Sequence, residues 1–164
     1  MIKRSTQVRL ETQLDALDTI LAGATPAALA TRPASGGWSA HEHLAHLARH
    51  HAVFLERLRQ VAAEDAPRFA RYRAEEDPEW PTWAALQMPE VLSRLRGLRA
   101  DIIRWTAALS DAEAGRVGTH PLFGKQSIGD MLEFFLVHEG HHLYVTMTRL
   151  GEAKRSASAR SPSG

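Results

Sequence analysis

The chain has no cysteine. Disulfides, thiolate metal sites and a cysteine nucleophile are thereby excluded. It also lacks any apolar run near the roughly 20 residues that a membrane span needs, so no membrane partner is expected. Its opening, MIKRSTQV, turns polar and charged at once and does not read as a secretory signal; a soluble, cytoplasmic protein is the expectation. An excess of one charge is missing too. Acids and bases interleave to a formal net charge of +1, which leaves no electrostatic footprint for nucleic acid. No internal repeat is visible, and no stretch alternates polar and apolar residues long enough to build a sheet. What is present is 164 residues, 44% of them apolar and 24% charged, the composition of one globular domain with a single core.

Four stretches carry helical periodicity. In the first, about Thr6 to Leu21, Leu10, Leu14, Leu17 and Leu21 form one stripe, ended by Gly23 and Pro26. The second opens at Ser39, where Ser39 and Glu42 make a capping-box pattern, and fades near Ala63. Asp65 to Trp83 is acidic, aromatic and proline-bearing and reads as a long connection with a short turn of helix. The third covers about Pro89 to Leu109 with a stripe of Leu92, Leu95, Leu98, Ile102, Trp105 and Leu109. A loop from Ser110 to Gln126 leads to the fourth, which starts at the cap Ser127, with Asp130 three residues on, and ends at Leu150-Gly151. The class is all-α, a four-helix bundle over residues 1–150, with a disordered tail from 151 to 164.

Histidine is the unusual residue. Of nine, five lie within residues 41–51 and three within 138–142. His138 and His142 are four apart on the face that carries Met131, Phe135 and Val145, so both rings point into the bundle about 6 Å apart at Cβ. Two imidazoles so spaced can hold one metal ion. A third ligand can come from the second helix. His46 lies roughly 10 Å from the start of that helix, and His142 roughly 12 Å from the end of the fourth. The heights match if the two helices are antiparallel. An up-down-down-up bundle makes them so, and residues 65–88 are long enough to return along it. His43 and His50 share much of the face of His46, and spacing alone does not separate the three. His41 and His51 read as surface residues. His141 reads as surface or as a neighbour of the site, and nothing fixes His120.

These residues carry a resemblance. The segments Gly37-Trp38-Ser39-Ala40-His41-Glu42-His43-Leu44-Ala45-His46-Leu47, His120-Pro121-Leu122-Phe123-Gly124 before Ser127-Ile128, and His138-Glu139-Gly140-His141-His142 follow in order over about residues 5 to 150. In them the chain resembles the DinB/YfiT-like metalloprotein superfamily, close to its DinB-like subgroup. The resemblance implies His46, His138 and His142 as the metal ligands, an up-down-down-up bundle, a homodimer, and nickel or zinc as the ion. Imidazole ligands suit zinc, nickel, iron and copper alike; after zinc and nickel, iron and manganese are the alternatives kept. Many relatives continue the last histidine with a small residue and a glutamine; here Leu143, Tyr144 and Val145 follow.

Three histidines leave a metal position open, the arrangement of a catalytic site. Relatives with known activity act on low-molecular-weight thiols, so the resemblance implies a metal-dependent transferase joining a small thiol to an electrophilic substrate. A metal-stabilised binding or stress protein, its fourth position closed by His50 or Glu139, and a metal-dependent hydrolase are the alternatives. No general base stands out. Glu139 is expected to point away from the site, and Glu133 and Asp130 to lie at the surface or around it. Arg104 and Arg149 could meet an anion but read as solvated. Trp38 reads as a staple before the cap, and Trp80 and Trp83 as core cover.

Overall fold

The computed structural model describes residues 1–160. Helices α1 (Arg4–Thr12) and α2 (Ala16–Ile20) are joined by a 3₁₀ turn at Gln13–Asp15 and together form the first arm of a four-helix bundle. The expected single helix is broken where the buried Arg99 guanidinium donates to the Leu10 carbonyl at 2.9 Å. A continuous α-helix would give that acceptor to the Leu14 N–H.

A short helix, α3 (Pro26–Ala30), interrupts the loop before the second arm, α4 (Ala40–Ala63). α4 begins as expected: Ser39 Oγ accepts from the Glu42 N–H at 3.2 Å, and Glu42 accepts from the Ser39 N–H at 2.8 Å. The return connection holds one short helix, α5 (Trp80–Ala84), and is pinned to α4 by Arg49, whose guanidinium grips Asp77 at 2.7 and 3.2 Å. The third arm, α6 (Met88–Ala107), has Pro89 in its first turn.

After a turn of helix, α7 (Asp111–Ala114), the expected loop contains an antiparallel hairpin, β1 (Val117–His120) and β2 (Gly124–Ser127). Thr119 also exchanges backbone hydrogen bonds with Pro67 and Phe69, and Gly118 packs so tightly on Phe69 and Val61 that a Cβ there would lie 2.7–2.8 Å from them. Strands of four residues are too short for alternation to reveal.

The fourth arm, α8 (Ile128–Arg160), runs well past its expected end at Leu150-Gly151. The reason lies in packing. Leu150 and Ala153 are buried, Leu150 in a cluster with Leu29 and Ala40, and Arg149 pairs with Glu152 at 2.8 Å across the supposed stop. The last four residues of the expected tail lie outside the described residues.

The core sets the directions. Leu10 packs near Ile102 while Leu14 and Leu17 pack with Val91 and Leu95, so the first arm opposes α6. Leu44 and Leu47 join Val91 and Leu95, and Leu58 joins Ile102, so α4 runs with α6. Phe54 stacks on Phe135 with ring centres 4.2 Å apart, and His46 lies 4.5 Å from His142, so α8 opposes α4. The bundle is up-down-down-up, the course on which the heights of His46 and His142 match.

Candidate metal centre

α4 and α8 meet through a column of histidines. Their antiparallel course pairs His46 with His142 and, one turn along, His50 with His138, whose ring centres are 4.1 Å apart. One ring nitrogen from each of His46, His138 and His142 falls within 4.8 Å of the others. His46 Nε2 and His138 Nε2 face each other at 3.3 Å. Two nitrogens bound at about 2.0–2.1 Å to one tetrahedral ion stand about 3.3–3.4 Å apart, so the donor set fits a divalent cation.

The rings are held neutral, the form that ligates a metal. Burial, then the neighbouring His138 and His43, pushes His46 down to about 3. Burial, then His51 and His141, lowers His138 to about 4, and burial with its histidine neighbours lowers His142 to about 2. His43 Nδ1 lies 2.9 Å from His142 Nδ1. That bond leaves Nε2 of His142 for the cluster and fixes its ring, the service a ligand's second nitrogen commonly receives. His43, an open alternative to His46 in the sequence, is thus the residue that orients His142. His50, the other alternative, lies outside the group of three; it is buried and its Nδ1 has no partner among the described residues.

Trp38 does more than staple the helix. Its ring lies 5.0 Å from His46 and 5.0 Å from Trp80, walling the histidines on one side. Trp80 therefore reaches the site as well as the core, whereas Trp83 is buried in the core as expected. His141 is exposed and His41 is half-buried against the Ala84 carbonyl.

One expectation is corrected: His51 is wholly buried rather than at the surface. Glu139 points away from the three candidate ligands as expected, but into the bundle, where it is wholly buried. The Glu139 carboxylate binds the Arg99 guanidinium and accepts from Gln13 Nε2 at 2.9 Å. His51 donates from Nδ1 to the Leu47 carbonyl at 2.7 Å, which turns Nε2 toward Arg99 as an acceptor at 3.2 Å. The group braces α1, α4, α6 and α8 beside the histidine column. Its sequence signal was Arg99, a charge between Leu95 and Ile102 on the apolar stripe of α6. Of the other charged candidates, Glu133 is engaged with Thr6 and Arg9, Asp130 with the Ser127 cap and Arg104 with Asp101, while Arg149 pairs with Glu152 but lies close enough to His43 for its charge to lower that ring's pKa.

A cavity of about 220 Å³ opens beside His46, His50 and His138, and the hairpin tip brings His120 and Phe123 to its edge. No Asp or Glu lines it among the described residues.

The family described as the DinB superfamily matches residues 9–145. The chain is similar to a protein of Oceanobacillus iheyensis named "putative metal-dependent hydrolase", with 30% identity over 112 residues. That alignment covers 66% of this chain and 63% of the relative, so the chain spans less than two thirds of the relative's length. Among solved structures, YfiT from Bacillus subtilis, described as "a probable metal-dependent hydrolase with an unusual four-helix bundle topology", superposes with a TM-score of 0.74 at 20% identity over 96% of this chain and 91% of that one. At that identity the likeness is one of fold. A second four-helix bundle protein, TT2238, gives 0.58 at 26% identity over 88% and 97%. No helix among the described residues is long and apolar enough to cross a membrane.

Proposed function

The chain belongs to the DinB superfamily, and from that premise we propose that it is a metal-dependent transferase that uses a low-molecular-weight thiol. His46, His138 and His142 would hold one divalent ion, zinc or nickel before iron or manganese. When bound, the ion supplies a Lewis acid that lowers the pKa of a thiol or water presented to it. The observation that carries the reading is the pairing of three neutral imidazoles with a cavity that no Asp or Glu lines among the described residues. Three uncharged ligands leave the charge of the ion to an anionic partner, and a thiol that ionises readily needs no carboxylate base beside it. The chain's own residues position the site: His43 orients His142, Trp38 and Trp80 keep water from one side, and the cavity admits the electrophile. The homodimer and the cytoplasmic setting belong to the same proposal, with sedimentation analysis as the check on the first.

Hydrolysis is the second reading, favoured by the name given to the Oceanobacillus iheyensis relative. It requires a base, and Glu139, the buried carboxylate of α8, is held by Arg99.

Elemental analysis of untagged protein, reconstituted with zinc or nickel, tests the site. About one equivalent is expected in the wild type and a loss of most of it in His46→Ala and His142→Ala. Metal unaffected by either substitution would reject the ligand set. The loaded protein is then offered chlorodinitrobenzene with cysteine or glutathione, and in parallel a nitrophenyl ester. Thiol conjugation that depends on His142 supports the transferase; ester cleavage alone would transfer support to the hydrolase.

A further inference from the structure

The histidine cluster does not account for an arginine set into the wall of the neighbouring cavity. Arg57 follows His46 on α4 by eleven residues, which returns the helix to within about 20° of the same direction some 16 Å further along. Histidines and arginine therefore line one face of one helix, at two ends of the same cavity. The guanidinium lies over the Phe69 ring, 5.2 Å from its centre, and makes a hydrogen bond to the Ala70 carbonyl at 2.8 Å. Burial lowers its pKa from the usual arginine value, opposed only by Tyr72, with no carboxylate contributing.

Arg71 also lines the cavity but is exposed; partial burial sets Arg57 apart. Arg9, Arg49, Arg96, Arg99 and Arg149 all sit against an acidic partner. A half-buried guanidinium has five donors, and leaving its charge unanswered in apolar surroundings is unfavourable. Around it the cavity is walled by Phe54, Met131 and Phe134, and at the mouth by Leu122 and Phe123, which stand 59% and 48% exposed on the hairpin tip. Exposed apolar side chains at a cavity mouth suit the body of a ligand. The volume, about 220 Å³, falls below the roughly 300–1,000 Å³ of sites for drug-sized molecules and points to a small one.

We propose that this cavity binds a small amphipathic carboxylate, its carboxyl group on Arg57 and its apolar body against Met131, Phe123 and Phe134, with its far end directed at the histidines. The proposal rests on the transferase reading only for the chemistry at the histidine end; the anchor for the anion stands without it.

Phenylpropionate and its uncharged isostere phenylpropanamide serve as probes, titrated by calorimetry into the full chain with and without zinc. The acid should bind at least about tenfold more tightly than the amide, the factor expected for one charge-assisted hydrogen bond. Arg57→Gln should remove that preference while zinc content stays at the wild-type level. Phe134→Ala should weaken acid and amide together. Equal binding of acid and amide by the wild type, binding of neither, or an unchanged preference in Arg57→Gln would overturn the proposal. An acid preference in a wild-type protein that takes up no metal would uphold it and reject the metal reading instead.

Discussion

Glu139 shows how much one side chain can decide. Burial acts to raise its pKa, but the charge of Arg99 and the hydrogen bond from its guanidinium outweigh it and hold the carboxylate below its ordinary value. Arg99 is 4% exposed and Glu139 0%, so neither charge has water to fall back on. Removing one member of such a pair commonly costs about 3–5 kcal/mol because the other is left buried and unpaired. Glu139→Ala is therefore expected to lose about that much in urea unfolding at pH 7, and a loss under about 1 kcal/mol would contradict the bracing role. Metal content gives a separate reading. Reconstituted with zinc, Glu139→Gln is expected to take up as much as the wild type, since the carboxylate faces Arg99 and His51 and not the group of His46, His138 and His142; a lower content would contradict that separation.

At the scale of the element, the fourth arm departs most from its sequence. Leu150-Gly151 has the form of a helix stop, yet Gly151 is absent from the residues of positive φ and the helix passes through it to Arg160. Glu152, Ala153, Lys154 and Arg155 all favour helix, and Ala153 is buried. A Cβ at Gly151 would meet only the end of the Arg155 side chain, at 3.4 Å, which can move aside. Gly151→Ala should thus stabilise the protein by about 0.5–1 kcal/mol. Thermal unfolding would show it as a raised midpoint; a lowered midpoint would mean that Gly151 ends the helix after all.

For the molecule as a whole, the histidine column makes the metal-free protein sensitive to mild acid. His43 and His138 are held near 4 and His46 near 3 mainly by burial, and His50 well below its ordinary value of 6.5. The unfolded chain takes up protons below about pH 6.5 that the folded chain refuses. Stability is then fully present above pH 6.5 and falls as the pH drops toward the folded values, by about 1.4 kcal/mol per pH unit for each proton of difference. Between pH 6.5 and pH 5 the carboxylates are still ionised, so the decline belongs to the histidines. Urea midpoints of the metal-free protein should be level from pH 8 to pH 7 and drop clearly by pH 5. A flat profile over that range would mean that the rings are not held neutral.

The sequence by itself determined the bundle, its four arms and the pairing of His138 with His142, because periodicity and i,i+4 spacing are local properties of a helix. It tied the antiparallel course of α4 and α8 to one condition, His46 as the third ligand, since only that course puts His46 level with His142. Tertiary structure alone decided what local pattern cannot encode. His43 and His50 share a face with His46, and the choice among them depended on where α8 lies across from α4. His51 read as a surface residue, and Glu139 only as pointing away from the site, until Arg99 arrived from α6 to meet them. Arg57 was one more charge on a helix until the hairpin and the 65–88 connection closed a cavity around it. In each case the deciding partner is distant in the chain, and whether a polar side chain meets water or another side chain is settled only when the arms pack.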